Sequence, residues 1–347
     1  MTSALTGLSD IHGFDALIDV RSPAEFADDH LPGAINCPVL DNEQRARVGT
    51  LYKQTSPFEA KEIGAALIAA NIGRHLQERF LDRPKGWKPL VYCWRGGDRS
   101  GALVTVFRSI GWRAGQLTGG YKTYRRWVIE QLASLPQDYH FQVVCGPTGS
   151  AKTRILQALA RQGAQVLDLE TLACHKGSVL GVLPDTPQPS QKWFETSVLQ
   201  ALAALDRDRP IYIEAESRKI GNLQVPEAIV AQMRRAPCVE IAANPAARVS
   251  FLLRDYGYFP DNPAWLKSRL AVLHGLQSNE TLAHWNALID ARAWPELVGA
   301  LLERHYDPLY QRSQARSFAG YGNPRTIVTD DLSATGIEAL ARTILQG

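Results

Sequence analysis

The chain has 347 residues, enough for two domains that each bury a core. Its 45% hydrophobic and 21% charged residues are ordinary for a soluble globular protein, and a net charge of +3 is too small to imply a nucleic-acid partner by itself. No run reaches the ~18 apolar residues of a membrane span, and five scattered cysteines (Cys37, Cys93, Cys145, Cys174, Cys238) without a C-x-x-C pair argue against a disulfide framework or a Cys-rich zinc site. The opening MTSALTGLSDIHGF has neither the basic nor the apolar region of a secretory signal, so the expected setting is a reducing cytoplasm.

Apolar strand-like runs alternate with helical ones, which predicts an α/β fold. ALIDV (16–20) reads as a strand closed by Arg21-Ser22-Pro23, followed by a short helix, a turn at Pro32-Gly33 and a second strand. Residues 58–72 carry apolar residues at helical spacing, PLVYC (89–93) is a buried strand, and residues 100–112 form a helix directly after it. A strand, a glycine turn and a last helix end at ASLPQDYH (133–140), a polar seam with a proline. Beyond it come the strand FQVVC (141–145), a glycine-rich loop, a helix over 152–161, and further strands at 164–170 and 209–217. The remainder, from about 225, reads as mostly helical. The expected domains are therefore 10–133 and 134–347.

Two loops carry chemistry. In VYCWRGGDRS (91–100) a strand delivers Cys93 into a C-x5-R loop. Gly96 and Gly97 let backbone N–H groups point inward, and the following helix adds its positive N-terminus, a setting that favours a nucleophilic sulfur. Arg95 and Arg99 are placed to bind the oxygens of an anion. Such a loop suits either a phosphatase or a carrier of a chalcogen atom, and Tyr92 stands where a phosphatase usually has histidine. In VVCGPTGSAKTRIL (143–156) a strand, a glycine-rich turn and a helix give the context of a phosphate-binding loop. Gly146, Thr148, Gly149 and Ser150 would wrap an oxyanion, Lys152 would neutralise it, and Thr153 would meet its oxygens or a Mg²⁺ ion. Ala151 replaces the usual second glycine. The acidic partner is ambiguous: Asp168 and Glu170 end one strand, Glu214 and Glu216 another, with Arg218 beside them. No companion motif of ATPases or GTPases accompanies the loop, which leaves a diphosphate substrate other than a nucleotide open.

LIDVRSPAEFADDHLPGAINCPV (17–39) and LTGGYKTYRRW (117–127) resemble the opening and closing segments of rhodanese domains. That resemblance implies a rhodanese-like parallel sheet flanked by helices and favours a chalcogen carrier; common rhodanese loops place the arginine one residue earlier. Residues 40–67, DLETLACHKGSVLG (168–181), QPSQKWFE (188–195), IEAESRKIG (213–221) and RHYDPLY (304–310) extend the likeness over nearly the whole chain. Together they resemble the bacterial tRNA 2-selenouridine synthase family, which implies a P-loop NTPase-like α/β second domain with a helical C-terminal portion.

The resemblance further implies action on the wobble uridine of tRNA. A 5-substituted 2-thiouridine is S-geranylated from geranyl diphosphate, and selenium from selenophosphate then replaces the geranylated sulfur. Cys93 would receive selenium or help deliver it to C2 of the base. No tightly bound cofactor is expected. A selenophosphate-supplying enzyme is a possible partner, whereas a membrane or DNA is not. Competing readings are a phosphotransferase with a rhodanese-fold regulatory module, and a phosphatase fused to a nucleotide-binding domain. For the tRNA, basic residues interleave with aromatics between 94 and 127; Trp94, Arg113, Lys122, Arg125 and Arg126 are the candidates. Arg218, Lys219, Arg234, Arg235, Arg248 and Arg254 would extend that surface.

Overall fold

The computed structural model describes residues 5–310, 312 and 324–346. The chain divides into two compact units, Met1–Glu130 and Gln131–Gly347. Each is built on its own five-stranded parallel sheet.

In the first unit the strands β1 (Leu5–Thr6), β2 (Ala16–Asp19), β3 (Ala34–Asn36), β4 (Pro89–Tyr92) and β5 (Gly115–Leu117) lie in the order β1-β5-β4-β2-β3. Ile18, Leu90 and Val91 are fully buried, the pattern of strands covered on both faces. The helices are α1 (Pro23–Asp28), α2 (Asn42–Gln54), α3 (Pro57–His75), α4 (Asp98–Ile110) and α5 (Gly120–Ser134). Helix α1 starts at Ser22, whose side chain accepts from the Glu25 N–H while Glu25 reaches back to the Ser22 N–H. Phe80, Trp87, Phe107 and Trp112 form an aromatic cluster with ring centroids 5.0–5.5 Å apart.

The second unit contains β6 (Phe141–Cys145), α6 (Lys152–Arg161), β7 (Gln165–Leu167), α7 (Leu169–Leu172), α8 (Gln191–Ala203) and β8 (Ile211–Glu214). A small antiparallel pair, β9 (Lys219–Ile220) and β10 (Leu223–Gln224), leads to α9 (Glu227–Arg235) and β11 (Cys238–Ala243). Next come α10 (Pro245–Asp255), α11 (Pro263–Leu270), α12 (Asn279–Asp290), α13 (Trp294–Leu301), β12 (Arg325–Thr329) and α14 (Ala334–Leu345). The sheet order is β12-β11-β6-β8-β7. The chain first runs from β6 towards the β8 side and later crosses to β11, so a crevice opens at the carboxyl end of β6, where ligands of parallel sheets bind. Helices α11–α13 surround the fully buried Trp285 in a core of their own.

The stretch after 225 is mostly helical, as expected, and also holds two strands: β11 and β12 complete the sheet, pairing from Val239↔Arg325 to Ala243↔Thr329. β12 is an edge strand with no fully buried residue, so it lacks the apolar run that marks an interior strand. The expectation of a single strand over 164–170 is corrected, because β7 stops at Leu167 and Asp168 caps α7.

Candidate functional site

The Cys93 loop is held from both sides. Cys93 is buried at 4% exposure, and its Sγ accepts from the Gly97 N–H (3.3 Å) and the Ser100 hydroxyl (3.2 Å). Gln116 donates to the carbonyls of Gly96 and Gly97 and to Ser100 Oγ, which fixes the loop over the start of α4. The N–H groups of Tyr121 and Lys122 donate to the Cys93 and Trp94 carbonyls. This approach requires Gly120, at φ +59°, where a Cβ would stand 2.3 Å from the Cys93 oxygen. Arg95 is exposed at the rim. Arg99 instead pairs with Glu25, Nη1 to Oε2 at 2.8 Å. Burial tends to raise the Glu25 carboxyl, but Arg99 holds it below the ordinary range. The arrangement is a sulfur with two donors, next to an arginine already engaged.

The loop after β6 has the backbone of an anion cradle. Gly146 and Gly149 have φ of +149° and +85°, and a Cβ on Gly146 would lie 2.4 Å from Ser150 Oγ. Ala151 is left-handed at φ +61° and buried, so the alanine occupies the conformation that a glycine favours. Arg248 braces the loop: its Nε donates to the Thr148 carbonyl (2.8 Å) and its guanidinium pairs with Asp307. Lys152 Nζ donates to the Gly146 carbonyl at 2.9 Å. Thr153 Oγ1 donates to Glu170 Oε2 at 2.5 Å.

Thr148, Gly149, Ala151, Lys152, Thr153 and Glu170 line a cavity of about 660 Å³ together with Glu216, Lys176, Arg218 and Arg234. Glu214, fully buried at the end of β8, accepts the Glu170 N–H through Oε1 at 2.8 Å, while Oε2 has no hydrogen-bond partner. Burial pushes Glu214 well above the usual carboxylate range, and the charges of Asp168, Glu170 and Glu216 add to it. Burial likewise raises Glu216, with the Glu170 charge next, and raises Glu170 against the opposing pull of Thr153 and Lys152. Asp168 is a helix cap: its oxygens accept from the Thr171 N–H and hydroxyl, so it is not the strand-end partner of the loop. Among the described residues, no group of three or more His, Cys, Asp or Glu side chains could hold a metal ion.

The basic stretch is only partly a surface. Arg113, Lys122, Arg126 and Trp127 are exposed, and Trp94 and Arg125 are half-buried. Trp112, Tyr121 and Tyr124 are core; the Tyr121 hydroxyl donates to Asp29 at 2.7 Å. In the second unit Arg218 pairs with Glu227, and Arg254 donates to the Leu332 carbonyl. Arg248, placed by sequence on that surface, is 5% exposed and serves the loop. Sequence reasoning also missed Glu25 as the partner of Arg99, Ser100 on the sulfur, and Lys176. Lys176 lies 4.1 Å from the Tyr256 ring centroid and pairs with Asp255. Only Ser100 offered a signal, as the residue just after the C-x5-R span.

Fold and loops define a class: a rhodanese-fold unit with a buried cysteine loop, followed by a P-loop unit. A rhodanese-like domain model matches residues 4–126, and a model described as the tRNA 2-selenouridine synthase AAA domain matches residues 139–269. A tRNA 2-selenouridine synthase of Nitrosomonas europaea is 35% identical over 247 residues, covering 69% of this chain and 63% of that protein. Those of Alcanivorax borkumensis (31% identity, 86% and 90% covered) and Cupriavidus pinatubonensis (30%, 90% and 93%) align over nearly their whole length. The chain belongs to the tRNA 2-selenouridine synthase family. Among the described residues, no helix is long and apolar enough to cross a membrane.

Proposed function

We propose that this protein forms 2-selenouridine at the wobble position of tRNA through an S-geranylated intermediate. The reading rests on family membership and on one observation: a donor-bound thiol loop and a formed phosphate loop occur in one chain. In the first step the sulfur of 2-thiouridine attacks the allylic carbon of geranyl diphosphate. The C–S bond forms, the C–O bond breaks, and diphosphate leaves onto the Gly146–Thr153 loop. Lys152 swings from the Gly146 carbonyl to the leaving oxygens, a charge developed only in the transition state. A Mg²⁺ ion carried by the diphosphate would meet Thr153 and Glu170, and chelation is then expected to slow this step.

In the second step the selenium of selenophosphate attacks C2: the C2–Se bond forms, the C2–S bond breaks and geranylthiol departs, taking its proton from solvent. Water then cleaves the Se–P bond and phosphate leaves, with no change of oxidation state. Cys93 acts at this exchange, where the Gly97 N–H and Ser100 hydroxyl donate to its sulfur. Trp94, Arg113, Lys122, Arg125 and Arg126 are proposed tRNA contacts, and a selenophosphate-forming enzyme is the natural supplier. The test is mass spectrometry of 2-thiouridine-bearing tRNA incubated with both co-substrates. Lys152→Ala is expected to abolish geranylation, by about a hundredfold or more. Cys93→Ala is expected to spare it and block selenium incorporation. Equal loss of both steps in Cys93→Ala would overturn this division of labour.

A further inference from the structure

A narrow slot leads away from the phosphate-loop cavity, walled by α10, α11 and α13. The two spaces share Thr148, Ser178, Leu252, Tyr256 and Tyr306. Every hydroxyl lining the slot belongs to that shared rim; beyond it the walls are apolar, with Leu253, Phe259, Trp294 and Val298 half-buried. Among the described residues no charged side chain lines the slot, whereas five cations, Lys152 and Lys176 among them, line the cavity with Glu170, Glu216 and Asp255. The floor is made by Leu180, Leu266, Leu297 and Leu301, which belong to the packed core around Trp285.

Charged groups, cations in the majority, therefore give way to none along one continuous path. That gradient suits an amphiphile with an anionic head and a hydrocarbon tail. A nucleotide fits it poorly, because ribose hydroxyls and a base would lose water without gaining partners. We propose that the slot is the binding site for the isoprenoid tail of a prenyl diphosphate whose head lies on the Gly146–Thr153 loop, an inference that rests on the geranyl-transfer reading. The free volume of about 70 Å³ is below the ~150 Å³ that admits a benzene ring. The tail enters by swinging the half-buried Leu253, Phe259 and Val298 side chains aside, and the packed leucine floor favours a C10 chain over a C15 one.

Calorimetric titration with geranyl diphosphate, farnesyl diphosphate and inorganic diphosphate tests this in the wild type and in Val298→Trp and Leu253→Trp. The wild type is expected to bind geranyl diphosphate about tenfold or more tighter than inorganic diphosphate, and tighter than farnesyl diphosphate. Each variant is expected to lose that advantage while binding inorganic diphosphate within about twofold of wild type, which also reports an intact loop. Unchanged geranyl diphosphate affinity in both variants would overturn the assignment, as would loss of inorganic diphosphate by both. The two readings fail differently. Geranyl diphosphate held in the slot but never transferred to thiolated tRNA would sink the geranyl-transfer reading alone. Transfer that proceeds normally in both variants would sink the slot alone.

Discussion

The Glu214 carboxyl sits fully buried beside three other acids, so the folded state holds its proton more tightly than the unfolded chain does. Its contribution to stability is full below the unfolded value of about 4.3 and is lost as pH rises through the raised folded value. Stability of the second unit is therefore expected to fall with rising pH. Glu214→Gln keeps an acceptor for the Glu170 N–H and removes the charge. It should flatten that slope and stabilise the protein at pH 8 by about 1–3 kcal/mol in urea melts. A Glu214→Gln profile that tracks wild type would show that this carboxyl does not set the slope. Glu25 has the opposite sign. Arg99 lowers it, so its contribution is present above the unfolded value and lost as pH falls through the folded one. Glu25→Gln at neutral pH is expected to cost about 1 kcal/mol, a modest figure because both partners are partly exposed. None of this was legible in sequence: Glu25 and Arg99 are 74 positions apart, and the acids of the second unit converge only through the sheet.

At the scale of elements, the two loops were readable because each joins a mostly apolar strand to a helix through glycines. FQVVC coincides with β6, and residues 152–161 coincide with α6. What periodicity missed was local chemistry. Asp168 is followed by Thr171 at the spacing of a helix cap, which ends β7 three residues before the expected strand end. The edge strand β12 was hidden by its exposed, charged start at Arg325. Ala151 stands where a glycine is usual, yet the loop forms with alanine in the left-handed region. The loop around Cys93 depends on glycine more strictly. Gly120→Ala places a methyl against the Cys93 carbonyl and the Gly96 nitrogen in a strained backbone region. It is expected to cost about 2 kcal/mol or more and to depress selenium incorporation while geranylation continues. Geranylation lost in step with selenium incorporation would contradict that separation.

At the scale of the whole molecule, the chain carries two parallel sheets with separate cores, and their division falls inside α5, near the polar seam at 133–140. The α/β class followed from the alternation of elements, and the rhodanese and P-loop character from segments that cluster around each loop. Under the proposed function the two loops take consecutive steps: geranylation on the loop of Lys152, then selenium exchange at Cys93. The most direct measurement supplies tRNA already carrying S-geranyl-2-thiouridine, with selenophosphate, to Lys152→Ala and to Cys93→Ala, and quantifies 2-selenouridine by mass spectrometry. Lys152→Ala is expected to convert this tRNA at close to the wild-type rate, and Cys93→Ala to leave it unconverted. Failure of Lys152→Ala on the pre-geranylated tRNA, or conversion by Cys93→Ala, would contradict the assignment.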